Sequence, residues 1–270
     1  MSIFEAIILG VVQGLTEFLP VSSSGHLVLL QKIFGINEPS LFFDTMLHAG
    51  TLLAVFAVLW KDIWELLKKP FQKLTLFLII ATIPAIIAGL AFNKTIEDIF
   101  NSAKFLGFCF LITTVLLVTA ELLSKKARNE NNLKSRENMK WIDGLFIGIM
   151  QAVAILPGIS RSGATISGAL FRKLDRDFAA RFSFLLSIPI ILGAVVLHSR
   201  ELLKGSEDTI YSISAAAVIA GTVAAAIVGF FAVKFMIKII KEKSLFGFAI
   251  YTGVLGLLII FDQFVSRLVF

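Results

Sequence analysis

The chain has little of what a soluble domain needs at its surface. Charged residues make up only 16% of its 270 residues, against about 25% in ordinary soluble domains. Its one cysteine, Cys109, cannot form an internal disulfide bond, and six prolines are too few for a collagenous or disordered chain. It has no glycine-rich nucleotide loop, CxxC pair or GxSxG motif, which argues against NTPase, zinc-site and α/β-hydrolase chemistry.

The chain is instead rich in apolar residues, which make up 57% of it, and its mean hydropathy is +0.88. A net charge of +6 is also found in proteins that bind nucleic acids. Here, however, the cations lie in short blocks between apolar segments, which is typical of the cytoplasmic loops of membrane proteins. The composition therefore predicts an integral membrane protein that contacts membrane lipids and no nucleic acid.

Six apolar segments approach the length of about 20 residues that a helix needs to cross the hydrocarbon core. They are residues 41–60, 74–92, 105–123, 178–197, 210–233 and 245–264. Backbone amides in lipid must be paired within the protein, and the sequence lacks the short alternating strands of a barrel. The predicted fold class is an all-α polytopic membrane protein with six transmembrane helices.

Two further apolar regions are interrupted by polar turns, one after Leu19 and one after Leu156. In each region the segment beyond the turn is too short to cross the membrane. Residues 3–34 and 142–171 are therefore predicted to be re-entrant helical hairpins, which enter the membrane and return to the same side. Irregular backbone at that depth is tolerated only where protein or a wet cavity surrounds it.

The distribution of positive charge predicts the orientation. If the loop after the first span is cytoplasmic, four stretches on that side hold eighteen of the 25 Lys and Arg residues, and the other side holds six. These stretches are 61–73, 125–140, 172–181 and 234–243. The bias predicts that the first hairpin enters from the outer face and the second from the cytoplasm, so that their tips meet inside the membrane.

The two hairpins resemble each other. The pairs Gly10/Gly148, Gln13/Gln151, Ser22/Ser160, Ser24/Ser162 and Gly25/Gly163 all lie 138 residues apart. Each half then has one hairpin and three spanning helices, and because three is odd, the second copy is inserted upside down. We therefore predict one membrane domain, 1–270, with an inverted repeat: repeat one at 1–124, a cytoplasmic linker at 125–140 and repeat two at 141–270. Such repeats commonly place a substrate site near the midplane.

Three ionisable residues are predicted to lie at the hairpin tips: Glu17, His26 and Arg161. An ionisable group at membrane depth is costly and usually faces a functional cavity. Arg161 and the serine-rich starts of the two short helices suit phosphate oxygens. Ser23, with His26 or Glu17 nearby, resembles an activated nucleophile, and Glu17 implies proton transfer or a bound divalent cation.

Other polar residues in these regions admit two interpretations. Gln13 either holds helices together or binds the ligand, and Ser22 and Ser24 are either small packing residues or phosphate ligands. Asp44 and His48 lie four residues apart near the start of a predicted span. For them, a local hydrogen bond is as good an interpretation as a functional site.

Two motifs resemble the signatures of a known family. Residues 13–26 read QGLTEFLPVSSSGH, and residues 157–165 read PGISRSGAT. Both are similar to the signature motifs of the bacterial undecaprenyl-diphosphate phosphatases, the bacitracin-resistance family. Residues 43–51, FDTMLHAGT, resemble a further stretch common in these proteins. The resemblance extends over the whole chain in length, helix layout and motif spacing.

The resemblance implies hydrolysis of undecaprenyl diphosphate to undecaprenyl phosphate and inorganic phosphate, which recycles the lipid carrier for peptidoglycan synthesis and confers bacitracin resistance. It implies a multi-pass enzyme of the bacterial cytoplasmic (inner) membrane. Because the first hairpin carries most of the reacting groups, we expect the site to open to the periplasmic, outer face. Mg2+ or Ca2+ is the implied cofactor, with Glu17 as its candidate ligand. Gln13 stands where some members have a second Glu.

Carried over position by position, the implied catalytic residues are Glu17, Ser23, His26 and Arg161. The expected phosphate-binding residues are Gln13, Ser22, Ser24, Ser160, Ser162 and Thr165. The nucleophile stays open between Ser23, His26 and water, and so does the oligomeric state, for which a homodimer is one candidate. The alternative function is a transporter or flippase of the lipid monophosphate, because inverted repeats also suit alternating access.

Overall fold

The computed structural model describes residues 1–36, 41–203 and 213–270. Within these ranges the regular structure is helical, apart from one isolated bridge between Lys134 and Leu174. In chain order the helices are α1 (Ile3–Thr16), α2 (Ser23–Ile33), α3 (Leu41–Val58), α4 (Trp60–Lys68), α5 (Lys73–Ala91), α6 (Asn93–Ser102), α7 (Leu106–Asn129), α8 (Trp141–Val153), α9 (Arg161–Phe171), α10 (Arg176–Leu203), α11 (Ala215–Glu242) and α12 (Phe246–Phe261). The prediction of an all-α polytopic fold is confirmed.

Long apolar helices form the body of the protein. Among the described residues, α5, α7, α10, α11 and α12 are long and apolar enough to span a membrane, and α3 with α4 forms a bent sixth candidate. Each of them overlaps one predicted span. The helix α11 continues to Glu242, well past the predicted end at 233, because its lysines can extend to the headgroups. Residues 210–212, where that predicted span begins, lie outside the described residues.

Two pairs of short helices stand where the hairpins are predicted. The helices α1 and α8 have 14 and 13 residues, about 20 Å of helix, which is short of the roughly 30 Å hydrocarbon core. After a break, each is followed by a helix of 11 residues, α2 or α9. The predicted order of helix, turn and short helix is therefore present in both regions. Their insertion from opposite membrane faces and the inverted repeat stay predictions.

The two halves of the chain exchange packing partners. The helix α1 packs along α11 of the second half, and α8 packs along α5 of the first half. Glycines bring these helix pairs into backbone contact. A Cβ atom added to Gly10 would lie 2.2 Å from the carbonyl oxygen of Gly221, and one added to Gly148 would lie 2.5 Å from that of Ala81. Small residues of this kind allow helices to approach closely in a membrane.

Ion pairs join the cationic stretches at one end of the helix bundle. The pairs are Asp62–Arg181, Glu65–Arg136 and Glu121–Arg176, with N–O distances of 3.1, 2.8 and 2.9 Å. Arg176 also donates to the carbonyl oxygen of Lys243, 2.7 Å away. These contacts bring all four cationic stretches to the same end, as the charge distribution predicts. Which membrane face this end meets stays a prediction.

Asp143 ties the predicted linker to the second pair of short helices. Its buried carboxylate accepts hydrogen bonds from Lys134 Nζ at 3.0 Å, from Arg172 Nε at 2.7 Å and from the Lys140 amide at 2.9 Å. Burial raises the pKa of Asp143, but these hydrogen bonds outweigh it and hold the pKa below its ordinary value. The linker 125–140 is therefore bound to the bundle, and α7 extends into it as far as Asn129.

Replacing Gly10 by Ala is expected to weaken the packing of α1 on α11. The added Cβ would overlap a backbone carbonyl, which cannot move aside as a side chain can, so we expect the free energy of unfolding to fall by about 1–3 kcal/mol. Thermal unfolding of the purified protein in detergent measures the change. The matched control is Gly89→Ala, because Gly89 also lies in a helix and has no atom within 4 Å of an added Cβ. Equal stability of the two variants would contradict the close contact.

Candidate active site

Glu17 lies at the centre of the polar groups that the sequence singles out. It caps the C-terminus of α1 and is buried. Its Oε1 contacts Nη2 of Arg161. Its Oε2 accepts hydrogen bonds from Ser23 Oγ at 2.5 Å and from Gln13 Nε2 at 2.8 Å. The structure thus brings a hydroxyl, a guanidinium and an amide together around one carboxylate.

These groups come from two breaks that lie against each other. The first break, residues 17–22, separates α1 from α2, and the second break, residues 154–160, separates α8 from α9. Arg161 begins α9 directly after the second break, and its guanidinium reaches Glu17 in the first. Ser162 Oγ also donates to the Leu19 carbonyl oxygen, 2.9 Å away. The site therefore exists only when both halves of the chain have packed together.

The turn before α2 depends on the backbone of Ser22. Its φ of 70° lies in the left-handed region that residues with a side chain seldom adopt. Ser22 Oγ accepts from the amide of Gly25 at 3.3 Å, and the Ser22 carbonyl oxygen accepts from His26 Nδ1 at 2.6 Å. These bonds hold a conformation that costs of order 1–3 kcal/mol. The turn places the next residue, Ser23, against Glu17.

The second break depends on a glycine and on a threonine of α7. Gly158 has a φ of 93°, and an added Cβ would lie 2.7 Å from the Cβ of Cys109, so this position requires glycine. Thr113 Oγ1 donates to the Gly158 carbonyl oxygen at 3.1 Å and accepts from the Ser160 amide at 3.0 Å. Ser160 then caps α9 through its own hydroxyl. In this way α7 positions Arg161.

All three residues of the second motif that are predicted to bind phosphate have protein partners for their hydroxyl groups. Ser160 caps α9, Ser162 bonds across to the first break, and Thr165 Oγ1 lies 2.6 Å from Ser183 Oγ. All three are buried. In the first motif, Ser24 is half-buried and its hydroxyl lies next to the cap of α2. Phosphate binding by these serines and by Thr165 stays a prediction.

His26 is bonded to groups other than the carboxylate. Its Nδ1 lies 2.6 Å from the Ser22 carbonyl oxygen, which can only accept, so Nδ1 carries a proton. Its Nε2 lies 2.7 Å from the hydroxyl of Tyr251 on α12. Both ring nitrogens therefore have partners, and among the described residues no hydrogen bond joins His26 to Ser23. Tyr251 is missing from the sequence prediction; the only signal for it is that the chain has two tyrosines against 26 phenylalanines.

His48 on α3 belongs to the site, although the sequence leaves its role open. Its Nδ1 lies 2.8 Å from Gln13 Nε2 and 3.3 Å from Glu17 Oε2. Asp44, one helical turn earlier, binds Gln31 of α2 instead, at 2.9 and 3.2 Å. Of the two interpretations, the structure favours a site for His48. The packing of α3 on α1 brings it there, and spacing along the chain does not reveal that packing.

Two buried polar atoms beside Glu17 have no hydrogen-bond partner among the described residues. They are Nη1 of Arg161 and Oε1 of Gln13. Buried polar atoms rarely stay unpaired, so such atoms mark places where a ligand or water binds. Nη1 is a donor on a cation and suits a phosphate oxygen, whereas the amide oxygen suits a cation or a hydroxyl group.

A divalent cation at this site would need a phosphate ligand to complete its coordination. In the part of the chain that the structure describes, no group of three or more His, Cys, Asp or Glu side chains could hold a metal ion. Glu17 and the unpaired Oε1 of Gln13 offer two oxygens. Mg2+ is commonly held by one or two carboxylates together with substrate phosphates. The donor set therefore suits a shared cation rather than one enclosed by the protein alone.

Comparisons with known proteins agree with the two motifs. The family model described as "Bacitracin resistance protein BacA" matches residues 6–258. The chain is 47% identical to "Undecaprenyl-diphosphatase 3" of Bacillus cereus, over 98% of this chain and 98% of the relative. It is 46% identical to "Undecaprenyl-diphosphatase" of Carboxydothermus hydrogenoformans, over 97% of this chain and 98% of the relative. The chain therefore belongs to the BacA family of bacitracin resistance proteins.

Proposed function

We propose that this chain hydrolyses undecaprenyl diphosphate to undecaprenyl phosphate and inorganic phosphate. Its family and the names of its relatives support this activity. The observation that carries the chemistry is the Ser23 hydroxyl, which donates to Glu17 beside the guanidinium of Arg161. A hydroxyl bonded to a carboxylate and next to a fixed cation is suited to attack an anionic substrate.

Arg161 binds the diphosphate in this proposal. Its Nη1 is buried and unpaired among the described residues, so it can donate to a phosphate oxygen without breaking a protein contact. A second oxygen that reaches Nη2 competes with Glu17 for the guanidinium, which frees the carboxylate to accept a proton. The guanidinium also offsets the negative charge of the transition state.

Ser23 is the nucleophile. Its Oγ attacks the terminal phosphorus, and its proton passes to Glu17 Oε2. The bond from that phosphorus to the bridging oxygen breaks, and undecaprenyl phosphate leaves with the bridging oxygen. Water then cleaves the phosphoserine, releasing inorganic phosphate and restoring the hydroxyl, while the proton on Glu17 leaves with the products. His26 is less suited to attack because its Nε2 is bonded to Tyr251.

Gln13 and His48 hold Glu17 in the required orientation. The two N–H groups of the Gln13 amide reach Glu17 Oε2 and His48 Nδ1, each at 2.8 Å. This arrangement keeps Oε2 towards Ser23 and leaves Oε1 for the guanidinium. His48 is therefore a positioning residue, which acts on the reaction through Gln13 and Glu17.

A divalent cation, Mg2+ or Ca2+, forms part of the proposal. Glu17 and Gln13 would hold it together with the phosphate oxygens, where it would supply positive charge against the diphosphate. The prenyl tail stays in the lipid between the helices. In this proposal the protein lies in the bacterial cytoplasmic membrane and its site opens to the outer face. The charge distribution supports this orientation. There the product would return to peptidoglycan synthesis as lipid carrier.

Purified protein in detergent, with no ion gradient, is expected to release phosphate from a C15 or C55 prenyl diphosphate. Ser23→Ala should lower the rate by about 10³-fold or more, because the nucleophile is lost. Rapid quench and mass spectrometry of the unmodified protein should detect a phosphorylated Ser23. Ser102→Ala, at the exposed end of α6, is the control. Phosphate on His26, or on neither residue, would contradict the assignment of Ser23 as the nucleophile. If no phosphate were released at all, the result would favour a transporter.

Arg161→Ala should lower kcat/KM by about 10²- to 10³-fold, because the transition state loses a fixed cation. The variant also leaves Glu17 buried without its cationic partner, so its thermal unfolding must be measured alongside. Arg161→Lys keeps the charge but loses the two-pronged donor, and we expect it to fold with intermediate activity. Near-normal turnover by the alanine variant would remove Arg161 from the proposed mechanism.

His48→Ala is expected to lower kcat by about tenfold or more while KM changes little, because Glu17 loses its support but Arg161 still binds phosphate. His48→Asn can place an amide group near the position of Nδ1 and should restore most of the activity. Leu53→Ala, on an exposed face of the same helix, is the control. Equal losses in the alanine and asparagine variants, or a change in KM alone, would rule out a positioning role.

A further inference from the structure

The helix α4 leaves the bundle at the end where the cationic stretches meet. Its axis is bent by 78° from that of α3, with the break at Leu59. The 18 residues of α3 already cover about 27 Å, close to the thickness of the hydrocarbon core. Helix α4 therefore lies across the end of the bundle rather than continuing through the membrane.

One face of α4 is apolar and lacks a protein cover among the described residues. Trp60, Trp64 and Leu67 are exposed, and so is Phe71 just beyond the helix. The first three positions are spaced by four and three residues, which places them on one stripe of α4. The rings of Trp60 and Trp64 stack, with centroids 5.5 Å apart. Exposed tryptophan is typical of the interface between lipid and water.

The charges of α4 are divided between protein and surroundings. Its two acidic residues, Asp62 and Glu65, are bound by Arg181 and Arg136. Four lysines lie beside the apolar stripe or just after it: Lys61, Lys68, Lys69 and Lys73. Lys68 Nζ also lies over the ring of Trp64, 5.3 Å from its centroid. All four are exposed, and none forms an ion pair with a described residue. The acidic groups are thus paired with arginines of the protein, and the remaining charge on this segment is positive.

We propose that α4 and residues 69–73 form a binding surface for anionic phospholipids. The apolar stripe would enter the acyl boundary, and the four lysines would contact negatively charged headgroups. An amphipathic helix with tryptophan on one side and lysine beside it binds membranes in two ways. Its apolar side chains are buried in the lipid, and its lysines are attracted to anionic headgroups. This role is independent of the hydrolytic function. Zwitterionic phospholipids carry no net negative charge to match the lysines.

Tryptophan quenching by brominated lipid tests the proposal. The chain has three tryptophans, so Trp141→Phe leaves only the two on α4. This protein is placed in phosphatidylcholine nanodiscs that contain the same minor fraction of either dibrominated phosphatidylglycerol or dibrominated phosphatidylcholine. We expect quenching by the anionic lipid to be at least about twofold stronger, since each lysine near the surface favours anionic headgroups.

The decisive variant replaces the four lysines of the surface by glutamine: Lys61→Gln, Lys68→Gln, Lys69→Gln and Lys73→Gln. Both brominated lipids should quench the tryptophan fluorescence of this variant equally. The matched control replaces four other exposed lysines at the same end: Lys126→Gln, Lys238→Gln, Lys241→Gln and Lys243→Gln. The control should keep the preference, and thermal unfolding checks that each protein is folded. Equal quenching before any lysine is replaced, or equal loss of preference in both variants, would overturn the proposal.

Discussion

The ion pair between Glu17 and Arg161 is the contact on which the rest of the site depends. An isolated charge at membrane depth is strongly unfavourable, and a buried ion pair is costly unless most of its other polar atoms are also paired. Ser23 and Gln13 donate to the second carboxylate oxygen, and His48 accepts from the same Gln13 amide. The contacts that make the buried charge tolerable are thus the same contacts that orient the groups proposed to react.

The two breaks are similar in sequence, but their hydroxyl groups have different uses. In the second break, Ser160 caps α9 and Thr165 bonds to α10, so this motif serves mainly as a frame for one guanidinium. In the first break, Ser22 takes over the capping of α2, and Ser23 is left to bond to Glu17. In the proposed mechanism, one serine-rich turn would therefore support binding in one half of the chain and reaction in the other.

Much of this arrangement can be predicted from the sequence, and the rest depends on packing. The lengths of the apolar runs predict the long helices and the two interrupted ones. The thickness of the membrane sets the minimum length of a spanning helix, and this length can be recognised within a single stretch of sequence. Glu17 and Arg161 stand out because ionisable groups are costly in a membrane. The contacts of His48 with Gln13 and of His26 with Tyr251 join residues 35 and 225 positions apart. To predict such contacts, one must know which helices pack together, and local sequence patterns do not indicate this.

Helix dipoles explain why the ion pair can yield to a substrate. Glu17 lies at the C-terminus of α1 and Arg161 at the N-terminus of α9. A carboxylate at a helix C-terminus and a cation at an N-terminus are both disfavoured by the partial charges there, by about 0.3–1 kcal/mol each. Each residue offsets the other in the free protein. A phosphate that enters between the starts of α2 and α9 meets two positive helix ends and the guanidinium, whereas the carboxylate of Glu17 meets a negative one. In the proposed mechanism the incoming anion is therefore the better partner for Arg161, and its binding would release the carboxylate beside Ser23.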